Sequence, residues 1–397
     1  MRRQHRISIT LEGWLYLIVS GFILAGALTR QINLLMLLFG MLAGPLVVSW
    51  RLVKNTLRKV EVRRQLPESV SAGDLLIVQL AAVNRRWRLG CWSVTVEDSL
   101  RREPQGGRAA QIAAPIVAKT MIPYLKPGVP YEASYRGRLA RRGRYQFGPL
   151  RLSTQFPLGL LRYRSTLDQR ESLVVYPRLG RLLPGWYRVQ KSSDLGLGLA
   201  ARQQGFLEGE FYGLRDWRSG DSRRWLHWRT SARRQTPVVR QFEQQRNEDL
   251  AIVLELWQPA QAGPKDQDTV ELAISFAGSI LADLCRRGGK WLSIATSGSD
   301  PWLESGPTST ALLHQTMRHL AEAEASPDDH LPAALARLLD QVRPGTRVVV
   351  VGTRAANLGD PQRFACLWND QRRRAWLNRI ETFDASSDEF AEYFTAE

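Results

Sequence analysis

The hydrophobic rhythm of the chain changes three times. Leu11 to Thr29 and Ile32 to Trp50 are two runs of 19 mostly apolar residues, separated by Arg30 and Gln31. At about 1.5 Å rise per residue each run reaches roughly 28 Å, close to the hydrocarbon thickness of a bilayer. Trp14, Tyr16 and Trp50 lie near the run ends, where amphipathic rings favour the lipid–water interface. A cleavable signal ending near Ala25-Gly26-Ala27 is the rival reading. The length of the first run and the second run close behind it favour a transmembrane helical hairpin within residues 1–55.

From about Val60 to Pro177 the rhythm shortens to alternating segments. Leu75–Leu80, Trp92–Val96, Tyr131–Tyr135 and Leu173–Tyr176 read as strands, with turn signals at Gly73-Asp74, Pro127-Gly128 and Arg142-Gly143 between them. Short strands without a helical period predict an immunoglobulin-like β-sandwich over 56–180, with 101–119 as a long loop or an edge strand. Residues 181–245 read as a connector. Its Leu195–Ala201 segment contains Gly-x-Gly-x-x-Ala but follows no strand, so a glycine loop is expected rather than a dinucleotide site.

Beyond residue 246 continuous apolar runs alternate with amphipathic ones. Ala251–Trp257, Trp291–Ala295 and Arg347–Val351 read as buried strands. Asp268–Arg287, Ser309–Glu324 and His330–Val342 read as helices. The alternation predicts a parallel sheet covered by helices on both faces, an α/β domain over 246–397. The fold class expected is therefore α+β multidomain, in three parts with a connector.

Charge adds an orientation. The formal balance is +17. Arg2, Arg3 and Arg6 precede the first apolar run; Arg51, Lys54, Arg58 and Lys59 follow the second; Arg30 lies between the runs. The positive-inside bias puts both outer flanks, and with them the bulk of the chain, in the cytoplasm of a multi-pass inner-membrane protein. Cys91, Cys285 and Cys366 are too far apart for a zinc-ligand spacing, and their sparse, odd number suits a reducing compartment.

The densest chemistry lies between Gly209 and Glu243, where eight arginines, three tryptophans and four carboxylates are interleaved. Arginine pairs with carboxylates through its planar fork and stacks on aromatic rings. The stretch therefore reads either as a buried network welding domains together or as a surface for an anionic ligand. The carboxylates Glu210, Asp216, Asp221 and Glu243 would neutralise much of the field, which favours welding. His227 lies in the same stretch and reads as a half-buried residue bonded to backbone.

The spacing there is similar to the signature of a bacterial family, domain of unknown function 58 (DUF58). The residues carrying it are Glu210, Leu214-Arg215, Trp217, Gly220-Asp221, Arg224, Trp228 and Ser231-Ala232-Arg233. Trp217 stands where the family usually has tyrosine. Arg141–Tyr145, Phe156–Leu160 and Val174–Pro177 extend the resemblance. It implies a von Willebrand factor A-like (Rossmann-like) fold for the C-terminal domain. It also implies association with MoxR-type AAA+ ATPases and with other membrane or von Willebrand-domain proteins. Such domains often bind a divalent metal through Asp-x-Ser-x-Ser after the first strand. The matching positions are Glu255, Trp257 and Pro259, and the last two carry no oxygen ligand, so no metal is expected.

No nucleophile–base pair, phosphate loop or paired-histidine spacing is present in the sequence. The expectation is a non-enzymatic, cofactor-free, membrane-anchored scaffold or adaptor. The alternative is nucleic-acid or anionic-lipid binding through the arginine-rich stretch, with nucleic acid the less expected partner.

Overall fold

The computed structural model describes residues 3–103, 114–189, 210–218, 221, 223–243, 249–343 and 345–396. The glycine run 195–201, Gly220 and most of 101–119 lie outside the described residues. The chain forms two compact units, Met1–Arg178 with Met317–Glu324, and Leu179–Thr316 with Ala325–Glu397.

The first unit begins with a strand, β1 (Arg3–Ile9), ahead of the helices α1 (Leu11–Arg30) and α2 (Asn33–Thr56). Ten further strands follow among the described residues: β2 (Val60–Gln65), β3 (Val70–Ser71), β4 (Leu75–Asn84), β5 (Cys91–Arg102), β6 (Ile116–Leu125), β7 (Pro130–Arg138), β8 (Gly143–Phe147), β9 (Leu150–Thr154), β10 (Leu161–Leu167) and β11 (Glu171–Tyr176). They make one sheet in the order β1-β10-β9-β5-β8-β11-β3, with β6 also on β5, and a second in the order β2-β4-β7. Alternation explains the layering. Val60 and Val62 of β2 and Leu76, Val78, Leu80 and Ala82 of β4 point one way, and they share a core with Val94, Val96, Leu150 and Leu152 of the larger sheet. The result is a β-sandwich.

The same alternation carries charge inward. Arg64 follows Val60 and Val62, and Asp98 follows Val94 and Val96, and their side chains are 0% and 2% exposed. They meet as a paired fork, with Nε to Oδ2 at 2.8 Å and Nη2 to Oδ1 at 2.6 Å. The Tyr135 hydroxyl donates to Oδ2 at 2.6 Å. Arg64 also donates to the Gly148 and Gln169 carbonyls, so the buried guanidinium has several partners.

Both helices are long and apolar enough to cross a membrane, and only 17% and 6% of their apolar windows are buried. Side chains such as Phe22, Leu34 and Met41 face outward. Each end of the hairpin is fixed to the sandwich. Before α1, β1 pairs with β10 from Arg3↔Leu167 to Ile9↔Leu161. After α2 the chain enters β2 within three residues, and Val53 and Leu57 are already in the sandwich core. The helix start is clamped as well. Thr10 caps α1 by accepting from the Gly13 amide, and its hydroxyl lies 2.7 and 2.9 Å from the Gly159 and Leu160 carbonyls. A Cβ on Gly13 would sit 2.1 Å from the Leu160 oxygen, whereas Gly21 has open space. Gly13→Ala is therefore expected to cost about 1–3 kcal/mol by overpacking, and Gly21→Ala close to nothing. Thermal melts of the full chain in detergent compare the two.

In the second unit, β12 (Arg181–Leu182) opens the stretch expected as a connector, and β13 (Glu210–Asp216) and β14 (Val238–Glu243) form a hairpin around the helix α3 (Trp228–Arg234). The α/β part comprises β15 (Leu250–Glu255), α4 (Pro264–Arg287), β16 (Trp291–Ser297), β17 (Trp302–Pro307), α5 (Thr310–Glu322), α6 (Leu331–Gln341), β18 (Arg347–Gly352), β19 (Glu381–Asp384) and β20 (Phe394–Thr395). Its sheet runs β17-β16-β15-β18-β19. The sheet is parallel except for the edge strand β17, which is antiparallel to β16. The link between those two strands, residues 298–301, is too short for a crossover, so only a hairpin is possible there. The three strands read from the sequence, β15, β16 and β18, are parallel as expected, and β17 is an additional antiparallel edge.

Part of 181–208 is also less of a linker than its composition suggests. Arg181 and Leu182 pair with Thr395 and Phe394. Trp186, 2% exposed, sits edge-on to Phe276 of α4 at 5.5 Å and against Phe383 at the same distance. An indole buried among phenylalanines is a large apolar contribution, and it ties the segment to the α/β core.

Candidate functional site

The described signature residues come together on and between the strands of the β13–β14 hairpin. Register pairs Glu210↔Glu243, Arg215↔Val239 and Asp216↔Val238, with an irregularity between Phe211 and Gly213. The chain between the strands makes a short 3-10 turn, Arg223–Trp225, and then α3. Ser231 locks α3 to β14: its hydroxyl accepts from the Val238 amide at 2.9 Å and lies 3.1 Å from the His227 carbonyl. His227 caps α3, its Nδ1 accepting from the Thr230 amide at 3.2 Å. The Trp217 amide donates to Pro237 at 2.8 Å.

Arg215 and Asp221 form an ion pair among the described residues of the module. The guanidinium reaches both carboxylate oxygens at 2.7 and 2.6 Å, and the Arg218 amide donates to Oδ2 at 2.8 Å. The Arg215 hydrogen bond holds the Asp221 carboxyl below its usual range, against the opposing effect of burial. Exposure is 37% for Arg215 and 15% for Asp221. A pair this open contributes about 0.2–1 kcal/mol, its fork geometry placing it near the upper end. Its geometric role is to close the loop after β13.

The other arginines of the module face solvent. Arg218, Arg223, Arg224, Arg229, Arg233, Arg234 and Arg240 are exposed, and Trp228 is 71% exposed. Trp217 is half-buried. The weld reading places Arg215, Asp221 and Arg224 in a partly buried network; Arg215 and Asp221 do pair, half-buried, while Arg224 is exposed. What the module offers chemically is a basic surface with one prominent indole, carried on a hairpin and a short helix.

A second cluster sits at the C-terminal ends of β15 and β18. β16 follows β15 on one side of it and the chain later returns to place β18 on the other, the reversal of strand order that opens a crevice in an α/β sheet. Glu255, 2% exposed, accepts through Oε1 from Arg354 Nε at 3.0 Å and Arg363 Nη2 at 2.9 Å. Arg363 also forks onto Asp329, with Nε to Oδ2 at 2.6 Å, and donates to the Ala356 carbonyl. Arg354 Nη2 lies 3.1 Å from Asp329, and its guanidinium stacks 4.3 Å above the Trp257 ring. Thr353 bridges the strand ends through the Trp257 carbonyl at 2.6 Å and amide at 3.1 Å. Burial pushes the Glu255 carboxyl up despite its two cations. Burial also raises Asp329, but the hydrogen bond and charge of Arg363, with Arg354, outweigh it and leave the carboxyl low.

Sequence reasoning reached Glu255 and missed its two arginine partners, which are 99 and 108 residues away. A divalent cation does not fit these residues. Trp257 and Pro259 bring no oxygen side chain, and two guanidinium groups already stand against Glu255 where a cation would need to approach. Among the described residues no group of three His, Cys, Asp or Glu side chains converges.

Comparison with known proteins agrees with the signature. The family model described as "Protein of unknown function DUF58" matches residues 213–365. The uncharacterized protein YeaD of Bacillus subtilis (strain 168) is 24% identical over 300 residues, 75% of this chain and 71% of that one. Among solved structures, the CARDB domain of a Pyrococcus furiosus protein covers 30% of this chain and 94% of its own, at 10% identity and a TM-score of 0.18. A superoxide reductase (neelaredoxin) from Ignicoccus hospitalis covers 31% and 85%, at 13% identity and a TM-score of 0.20. Scores that low carry no argument about this chain. The family match begins within β13, takes in Arg215, Asp221 and the α3 signature, and continues past Glu255 and Arg363; over that region the chain is similar to the DUF58 family.

Proposed function

We propose that the chain is a membrane-anchored scaffold or adaptor, working with a MoxR-type AAA+ ATPase in the assembly or maturation of other proteins. In this reading the arginine-rich hairpin is the face it presents. The observation that carries it is the exposure of Arg229, Arg233 and Trp228 on a helix pinned by Ser231. Exposed arginine and tryptophan are the residue types that anchor protein interfaces, and an acidic partner surface complements them. The sandwich is read as immunoglobulin-like and the α/β part as von Willebrand factor A-like, with Arg354 and Arg363 substituting for a metal.

The anchoring supports a two-crossing topology. Since β1 and β2 both belong to the sandwich, the two ends of the hairpin leave it on the same side. Two membrane crossings suit that geometry, and the basic flanks assign the sandwich side to the cytoplasm.

The test is photo-crosslinking in native membranes with Arg229→Glu/Arg233→Glu. Crosslinks to an AAA+ ATPase should disappear, while the melting temperature stays near the parent value, because exposed substitutions shift stability by no more than about 0.5 kcal/mol each. Crosslinks that persist would remove the hairpin from the interface. Steeply salt-sensitive RNA binding by the full chain, abolished in the same variant, would instead favour a nucleic-acid surface.

A further inference from the structure

The geometry points to a second, noncovalently docked membrane contact: the β4–β5 loop, residues 85–90, seats Trp87 and Leu89 in the interface of an anionic bilayer. This rests on the reading of α1 and α2 as membrane-spanning and adds a surface that the helices do not provide.

The loop reads Arg85-Arg86-Trp87-Arg88-Leu89-Gly90. Trp87 is 87% exposed and Leu89 57%, an unusual use of two large apolar side chains on a short turn. The turn is not loose. Asn84, fully buried, donates to the Leu89 and Leu125 carbonyls at 2.9 and 3.3 Å, and its Oδ1 accepts from the Arg86 amide at 3.1 Å. The exposed indole is therefore presented by a fixed frame, with the Arg88 guanidinium stacked 4.9 Å above it.

Two contacts set the height of the loop. The Arg85 amide donates to the Lys59 carbonyl at 2.9 Å, and Cys91 Sγ lies 3.1 Å from the Thr56 carbonyl. Thr56 and Lys59 lie two and five residues past Lys54, the end of the candidate span, so both feet of the loop are tied to the exit of α2. The other helix reaches the same end of the sandwich. Its cap, Thr10, bonds to Gly159 and Leu160, next to Phe156 and Leu158, which are 36% and 52% exposed. Trp92 bridges toward the loop, its ring 5.8 Å from Phe156 and 4.2 Å from Tyr124. Exposed apolar and aromatic groups thus run between the two helix ends.

Charge selects the occupant. Arg88 and Lys126 are exposed on these loops, and Arg58 and Lys59 on the exit of α2. The carboxylate beside them, Glu61, is paired with Arg85 at 3.2 Å. Aromatic rings at interface depth beside exposed cations suit anionic headgroups, with the arginine stems lying along the apolar boundary. A soluble acidic protein would match the charge. It would not account for the shared depth with both helix ends.

The experiment reconstitutes the full chain in nanodiscs containing brominated phosphatidylcholine, with or without phosphatidylglycerol, and compares tryptophan quenching. Trp87→Phe should remove a quenched component in the anionic discs, and Trp228→Phe should not. Arg86→Glu/Arg88→Glu should lower the docked fraction in the same discs, the docking equilibrium falling at least about tenfold. Equal quenching changes for Trp87→Phe and Trp228→Phe, in discs where Trp14→Phe reports an inserted hairpin, would overturn the docking alone. No quenching of Trp14 would overturn the spanning helices and the docking together.

Discussion

Asp98→Ala is expected to lower the stability of the full chain by about 3–5 kcal/mol, a large share of what an ordinary domain has. The substitution would leave the Arg64 guanidinium, whose side chain has no solvent exposure, without its carboxylate, and would strip the Tyr135 hydroxyl of its acceptor. The Gly148 and Gln169 carbonyls would still accept from Arg64, which softens the loss without neutralising the charge. Arg64→Met/Asp98→Ala should recover much of the deficit, because a buried ion pair can be exchanged for apolar packing at little cost. Urea denaturation of Asp98→Ala, Arg64→Met and the double variant decides it. A double variant as unstable as the sum of the singles would mean that the two groups act independently.

That ion pair was legible in principle. Once Val60 and Val62 are placed inward, a period of two puts Arg64 inward too, and Val94 and Val96 do the same for Asp98. Local periodicity likewise placed the apolar helices, β4, β5, β7, β11 and the alternation of 250–352. What escaped was non-local. β1 was hidden because His5, Arg6 and their neighbours read as a basic flank, and their pairing partner β10 lies some 150 residues on. β12 and β20 pair across an even longer separation, with no periodic signal in two-residue strands. The arginine stretch was legible as a motif and illegible as a surface. A guanidinium serves a buried fork or an open face equally well, and only the fold exposes Arg224, Arg229 and Arg233 while closing Arg215 onto Asp221.

Glu255→Ala is the second substitution with a large expected cost, near the lower end of about 3–5 kcal/mol, since Arg354 and Arg363 keep 29% and 17% exposure and water would screen them in part. Alanine removes the acceptor shared by two guanidinium groups and leaves a gap beside Gly352, where a Cβ would already come within 2.9 Å of Glu255 Oε2. Glu255→Gln should cost less, because the amide keeps an oxygen for the arginines and burial disfavours the charge in any case. The pH dependence separates the two carboxyls. Glu255 is raised on folding, so its contribution is fully present below the ordinary glutamate range and is lost as pH rises through the raised value. Asp329 is lowered, so its contribution is present above the ordinary aspartate range and is lost as pH falls through the lowered value. Melting of the full chain against pH should therefore lose its higher-pH decline in Glu255→Gln and its acid limb in Asp329→Asn. Magnesium should move neither curve, because the cluster supplies its own cations. A magnesium-dependent rise in melting temperature that vanishes in Glu255→Ala would mean that both guanidinium groups can leave Glu255, and the cluster would then be a gate over a metal site rather than its replacement.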